Sequence, residues 1–190
     1  MQTLSEDKIE NETMETRVSF HPFFAGMQKT ELALLTDCAM PVHFTKGEIV
    51  FREGEIANRF YVIETGKVVL ESSSKYGAPV IVDTIGAGDL LGWSWMFSPY
   101  AWKFTARAVE NTDALFFYGT ILREYCERDP ALGFELLKRM SVVMNRRLQA
   151  ARNQMLSVHA KLSTLQPVVL ESPFMDQELD RDTLFREGGD

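Results

Sequence analysis

The dipeptide Asp129-Pro130 divides this chain into two kinds of sequence. Asp is a favoured helix N-cap and Pro suits the first helical position, so the pair starts a helix and ends whatever precedes it. No proline recurs until Pro167, and a helix over most of that span would be about 50 Å long at 1.5 Å per residue. Leu137, Ser141, Met144, Leu148, Ala151, Met155, Val158 and Leu162 follow the alternating four-and-three spacing of a heptad seam. Phe134, Leu136, Met140 and Val143 form a second apolar face, free to cover the preceding domain. The spacing predicts a parallel two-fold homodimer whose interface holds Leu137, Ser141, Met144, Leu148, Ala151, Met155 and Val158. The same run could instead fold back as a hairpin or fray past Arg152. Lys138, Arg139, Arg146, Arg147, Arg152 and Lys161 make the helix basic, and such a run reads as a solvated face.

Before Asp129 the hydrophobic period is two rather than 3.6. After an apolar hook at Phe20-His-Pro-Phe-Phe24 and a short helix over Gln28 to Cys38, Val42 and Phe44 alternate, then Ile49 and Phe51, around Lys46-Gly47. Phe60–Ile63, Lys67–Glu71, Val80–Ile85, Phe104–Val109 and Ala114–Tyr118 are further short runs rich in β-branched and aromatic residues, separated by polar or Gly-bearing turns. Thr120 to about Arg128 reads as a short helix. Many short strands at close spacing predict an antiparallel sandwich or jelly roll.

Charge separates the ends from the middle. Residues 1–19 carry −3 and residues 171–190 carry −5, which leaves +1 for the rest of a chain whose net charge is −7. That predicts an acidic flexible leader over 1–19, a barrel with flanking short helices over 20–128, a dimerisation helix over 129–166 and an acidic tail over 167–190. The balance disfavours a general nucleic-acid binder. With no long apolar run and an acidic amino terminus, neither a membrane span nor a signal peptide is expected, which predicts a cytoplasmic protein. Cys38 and Cys126 have no spaced partner, so no disulfide framework or metal site is indicated.

Gly86 to Ala108 is the densest feature: three glycines in seven residues, then Trp93, Trp95 and Trp102, all the tryptophans of the chain. Such a stretch is either core packing or a binding pocket.

Phe51-Arg-Glu-Gly-Glu55, Phe60-Tyr-Val-Ile-Glu-Thr-Gly-Lys-Val68, Gly88-Asp-Leu-Leu-Gly92 and Met144-Asn-Arg-Arg-Leu148 after Asp129-Pro130 occur in this order. Together they resemble the cyclic nucleotide-binding domain of the catabolite-activator and Fnr class of bacterial regulators, over roughly His21 to Val158. The resemblance implies a mainly β fold with helices: an antiparallel jelly roll, a cupin-like barrel, followed by a long C-terminal dimerisation helix. It also implies a small anionic or nucleotide-like ligand enclosed by barrel, phosphate-binding cassette and helix.

Carried over by position, the candidate ligand-binding residues are Gly92, Trp93, Ser94, Trp95, Met96, Trp102, Lys103, Phe104, Arg107, Ala151 and Arg152. The family's cassette places Glu after its Gly for the ribose hydroxyl, where this chain has Trp93. About ten residues on it places an Arg for the cyclic phosphate, where this chain has Trp102, Lys103 and Phe104. The hydroxyl residues that meet the base fall near Ala151 and Arg152. Lys103 or Arg107 could supply the missing charge. Ordinary cyclic AMP binding is expected to be weak or absent, and no cofactor is implied. Family regulators continue into a winged helix-turn-helix; Pro167 to Asp190 is too short and acidic for one, so no direct DNA contact is expected and a partner protein must carry any signal.

Two functions remain: a dimeric ligand-sensing regulatory module, and a degenerate scaffold whose pocket is filled by tryptophan. Catalysis is not expected. His21, His43 and His159 are the only histidines and lie far apart in the chain, so cupin-type metal chemistry lacks its ligands, and no Ser-His-Asp or paired-carboxylate arrangement stands out. His43, Cys38 and Cys126 read as packed residues rather than haem ligands.

Overall fold

A computed structural model describes residues 13–73 and 77–164. The acidic tail over 167–190, the leader up to residue 12 and the middle of the polar turn at Ser72–Gly77 lie outside them. The first described element is helix α1 (Met14–Phe20), and it corrects the reading of a flexible leader over residues 14–19. Thr13 caps it, its side-chain oxygen accepting from the Thr16 N–H at 3.3 Å. Met14 and Val18, four apart, share one face and pack into the core, Val18 without exposure. Arg17 pairs through two nitrogens with the Glu64 carboxylate. The acidic composition disguised an anchored helix.

A 3₁₀ turn (Pro22–Phe24) buries Phe23 and Phe24, and α2 (Lys29–Asp37) follows. Eight strands come next: β1 (Ala39–Phe44), β2 (Ile49–Phe51), β3 (Arg59–Ile63), β4 (Lys67–Ser72), β5 (Val80–Gly86), β6 (Leu90–Leu91), β7 (Thr105–Ala108) and β8 (Thr112–Tyr118). They form two antiparallel four-stranded sheets, in the orders β1-β8-β3-β6 and β2-β7-β4-β5. β1 and β2 flank the turn at Lys46-Gly47 and belong to opposite sheets. Helices α3 (Gly119–Arg128) and α4 (Pro130–Thr164) close the described chain. This is the expected jelly roll with a long terminal helix.

Two cores share the first sheet, because side chains alternate across a strand. Tyr61 and Ile63 of β3 point between the sheets with Phe44, Phe51, Val68, Leu70, Ile85 and Ala106. Phe60 and Val62 point the other way, with Leu115 and Phe117 of β8, toward the helices. Strand β3 is therefore buried on both faces from Phe60 to Ile63.

Helix α4 is one uninterrupted helix of 35 residues, so the hairpin alternative falls within the described span. Asp129 caps its start, the carboxylate accepting from the Ala131 N–H at 3.0 Å and the Leu132 N–H at 3.3 Å. Leu132, Leu136 and Met140 are wholly buried and Val143 packs beside them. Phe134 does not join them: it is 67% exposed, one of the four positions expected on the barrel, and Leu132 takes its place. The reason is geometric, since at 100° per residue Leu132, Leu136, Met140 and Val143 line up and Phe134 does not. Arg139 fastens the helix to the amino-terminal turn, donating to the carbonyls of Phe23 at 2.8 Å and Ala25 at 2.9 Å, and to Glu135 at 2.7 Å. Every described side chain of α4 from Arg152 to Leu162 is exposed.

Leu136→Ala should cost about 2–5 kcal/mol in chemical denaturation, the range for a large core side chain cut to a methyl. Phe134→Ala should stay within about 0.5 kcal/mol, as an exposed position does. Equal effects at the two sites would contradict this orientation of the helix.

Candidate functional site

The cassette begins where β6 ends. Gly92 takes a left-handed backbone, φ 86°, and the 3₁₀ turn Trp93–Met96 follows. Only glycine fits here on two grounds: the backbone sign, and a Cβ that would lie 2.8 Å from the Trp102 ring. Beyond the turn the chain is stitched to the loop between β2 and β3. The Trp102 N–H donates to the Glu55 carbonyl and the Gly54 N–H to the Trp102 carbonyl, each at 2.9 Å; the Ala57 N–H donates to Tyr100 at 2.7 Å. From α3, Arg123 donates to the Trp95 carbonyl at 2.6 Å and lies 4.5 Å from the Tyr100 ring centroid. The family-like Arg52-Glu-Gly-Glu55 loop and the cassette thus brace one another.

The three tryptophans divide between the two cores, Trp93 and Trp95 on the helix side and Trp102 between the sheets. Trp95 is fully buried on the helix side, stacked on Phe60 at 5.3 Å, its indole nitrogen without a partner among the described residues. Trp102 is 4% exposed between the sheets, stacked on Phe51 at 3.9 Å and 15°. Trp93 is half-buried and meets Phe97 edge-on at 6.1 Å. One aromatic run therefore feeds two cores and a rim.

The pocket that remains is lined by Phe51, Leu70, Gly92, Trp93, Ser94, Trp102, Lys103, Phe104 and Arg147. Its volume is ≈ 20 Å³, room for one ordered water. Of the candidate ligand residues, Gly92, Trp93, Ser94, Trp102, Lys103 and Phe104 are brought together here.

The others are not. Trp95 belongs to the helix-side core, and Met96 packs against the same core. Arg107 sits on the outer face of β7, because Ala106 and Ala108 on either side of it face inward; it pairs with Glu71 at 3.1 Å and lines no part of the pocket. That pairing raises its pKa further. Ala151 and Arg152 are exposed on α4 and do not line the pocket.

Sequence reasoning missed Arg147. It extends the inward stripe by one step, 132, 136, 140, 143, 147, and its side chain is only 15% exposed. The reading of the basic run as a solvated face is corrected at this residue. Arg147 Nη2 donates to the Leu90 carbonyl, its Nε lies 3.4 Å from the Asp83 carboxylate, and Nη1 is buried with no partner among the described residues. Burial lowers its pKa from the usual arginine range, opposed chiefly by Asp83. Its neighbour Arg146 is exposed and pairs with Asp89. The stripe spacing was the available signal, and the basic composition of the helix concealed it.

The other reactive groups are ordinary. Cys38 is buried, its thiol donating to the Leu34 carbonyl, and burial pushes its pKa up to about 12; burial likewise pushes Cys126 up to about 11. His21 is buried and its Nδ1 accepts from the Phe23 N–H at 3.2 Å. His43 differs from expectation: it is half exposed and bonded to Asp113 at 2.7 Å rather than packed. Among the described residues no three His, Cys, Asp or Glu side chains gather as metal ligands would, and no helix is long and apolar enough to cross a membrane.

Known proteins agree with the architecture. Residues 41–129 match the cyclic nucleotide-binding domain family. The CRP-like cAMP-activated global transcriptional regulator of Mycobacterium tuberculosis is 29% identical over 132 residues, 70% of this chain and 57% of that protein. The chain thus spans little more than half the length of that relative. The N-terminal domain of a transcriptional regulator from Streptomyces coelicolor A3(2) is 25% identical, with a TM-score of 0.56 over 73% of this chain and 94% of that one. A cyclic nucleotide-binding domain from Methylobacillus flagellatus shares the fold, at 18% identity and a TM-score of 0.63 over 80% of this chain and 84% of that one. By their descriptions, these relatives are transcriptional regulators and a cyclic nucleotide-binding domain. Residues 41–129 thus match a cyclic nucleotide-binding domain, and CRP/Fnr-like regulators are among the relatives of this chain.

Proposed function

We propose that the chain is a non-catalytic ligand-sensing module of the cyclic nucleotide-binding type, acting as a homodimer through a partner protein, and that cyclic AMP does not occupy its cassette in the family's ordinary way. The observation that carries this is the position of Trp102, whose ring lies on Phe51 and over Gly92 and leaves ≈ 20 Å³. Pockets for small ligands run to about 300–1,000 Å³, so a nucleotide enters only when the ring leaves. A ribose hydroxyl would then face Trp93 instead of a carboxylate, and an unpaired buried polar group costs about 1–3 kcal/mol. A second reading, a ligand-free interaction scaffold, is favoured by the same small volume.

The dimer is supported by what α4 leaves uncovered. Leu148 and Met155 are 66% and 65% exposed, and Leu137, Val158 and Leu162 of the same seam are exposed too. A heptad seam of this kind is satisfied by a second copy of the helix.

Calorimetry with cyclic AMP should give a dissociation constant weaker than about 1 mM; micromolar binding would overturn the exclusion. A thermal-shift screen of cyclic mononucleotides, cyclic dinucleotides and aromatic metabolites separates sensor from scaffold. A saturable rise with any of them supports sensing, and a uniformly flat response supports the scaffold.

Light scattering should report twice the 21.7 kDa chain mass. The Leu148→Asp/Met155→Asp variant should fall to a single chain that still unfolds cooperatively in chemical denaturation. A monomeric wild-type protein would remove the dimer from the proposal.

A further inference from the structure

We propose that the groove between α4, the Pro22–Phe24 turn and the β5–β6 turn is the docking site for a partner protein, and that the partner offers one large apolar side chain flanked by carboxylates. The inference rests on the chain acting through a partner, as proposed above. The groove has a volume of ≈ 260 Å³. Its buried wall is Phe23 and Leu90, with Val143 half-buried beside them and Val142, 67% exposed, on the rim. Arg139 and Arg146 belong to the same lining, and among the described residues no acid shares it. The groove and the cassette pocket have no described lining residue in common.

Helix geometry keeps this groove clear of the proposed dimer. At about 100° per residue, Leu137, Ser141, Met144 and Leu148 fall on one flank of the inward stripe, and Arg139, Val142, Val143 and Arg146 fall on the other. A second copy seated on the seam leaves the groove open, so its occupant is a different protein. Charge says which kind. The chain carries a net charge of −7, yet the groove gathers two cations. Arg139 is held by Glu135 and by the Phe23 and Ala25 carbonyls, which fixes its guanidinium in place. Arg146 is 62% exposed and meets Asp89 through Nη2 alone, so an incoming carboxylate can reach its other nitrogens. An apolar floor bordered by arginine fits an anchor side chain with acids beside it, and such anchors carry most of the energy of an interface. The volume falls short of the about 300–1,000 Å³ of small-ligand sites and suits a single side chain instead.

The full chain is titrated into a fluorescein-labelled peptide in which phenylalanine is flanked by glutamates, while anisotropy and the methyl NMR signals of Val142 and Val143 are followed. Two control peptides carry alanine for the phenylalanine, or lysines for the glutamates. The first peptide should bind saturably, shift both valine signals and weaken as salt is raised. Each control should bind roughly tenfold more weakly or worse. Val142→Asp, at a rim position whose exposure leaves folding intact, should weaken the first peptide by roughly tenfold or more, and Arg146→Glu should do the same. The Leu148→Asp/Met155→Asp variant, altered on the other flank, should bind as wild type does. Binding that survives both Val142→Asp and Arg146→Glu overturns the inference, as does a wild-type protein that takes no peptide or takes the lysine peptide equally well. Phosphatidylglycerol vesicles bound in place of the peptide, and released by the same variants, overturn it too and make the occupant a membrane surface. Complexes isolated from cells producing wild type or Val142→Asp separate this inference from the reading beneath it. A partner held by both proteins leaves that reading standing and removes the groove, whereas a partner held by neither removes both.

Discussion

The double burial of strand β3 is the constraint on which the other parts depend. Phe60 and Val62 need cover from the helices, while Tyr61 and Ile63 need cover from the opposite sheet. A strand buried on both faces cannot be shielded by one layer, so the chain must supply two, and the cassette lies between them. Trp95 extends the Phe60–Phe117 stack, whose rings lie 4.6 Å apart, on one side. Trp102 reaches Tyr61 through Phe51 on the other, at 3.9 Å and then 6.3 Å. Seven residues of cassette thus connect two cores, and aromatic stacking adds about 0.5–1.5 kcal/mol per pair to the burial of each ring.

Much of the architecture could be read before any coordinates. Period-two runs marked the strands, Asp129-Pro130 marked the start of α4, and the order of Gly-bearing motifs marked the family. What could not be read was whatever depended on which face a residue turns to. Strand β6, only Leu90 and Leu91, is too short to carry a period at all. α1 was hidden by acidic neighbours, although Thr13, Met14 and Val18 carry the cap and the spacing that a packed helix needs. Arg107 looked like a substitute phosphate ligand until its inward neighbours Ala106 and Ala108 fixed it outside the barrel. Arg147 was misread in the opposite sense, since a charge within a basic run suggests solvent while its spacing from Leu136 and Met140 demands the interior.

The tryptophan question was therefore badly posed as a choice between lining and plugging. Trp93 lines, Trp102 plugs and Trp95 does neither, and composition alone could not distribute them. The same packing bears on residue 93, where this chain has Trp rather than a carboxylate. With an indole in place of ligand, a Glu at position 93 would sit beside an apolar ring without a hydroxyl to accept, a poor exchange for a partly buried charge.

Adjacent residues of α4 link the pocket to the proposed dimer. Arg147 turns to Asp83, Leu90 and the cassette, whereas Leu148, 100° further round the helix, is 66% exposed on the heptad seam. A helix whose one side chain lines the pocket and whose next is exposed on the seam cannot rotate at one without shifting the other. Close-packed elements move between discrete arrangements rather than continuously, and a ligand selects between them only if it binds the two differently. In the proposed dimer, the pocket and the seam are therefore joined by one helix.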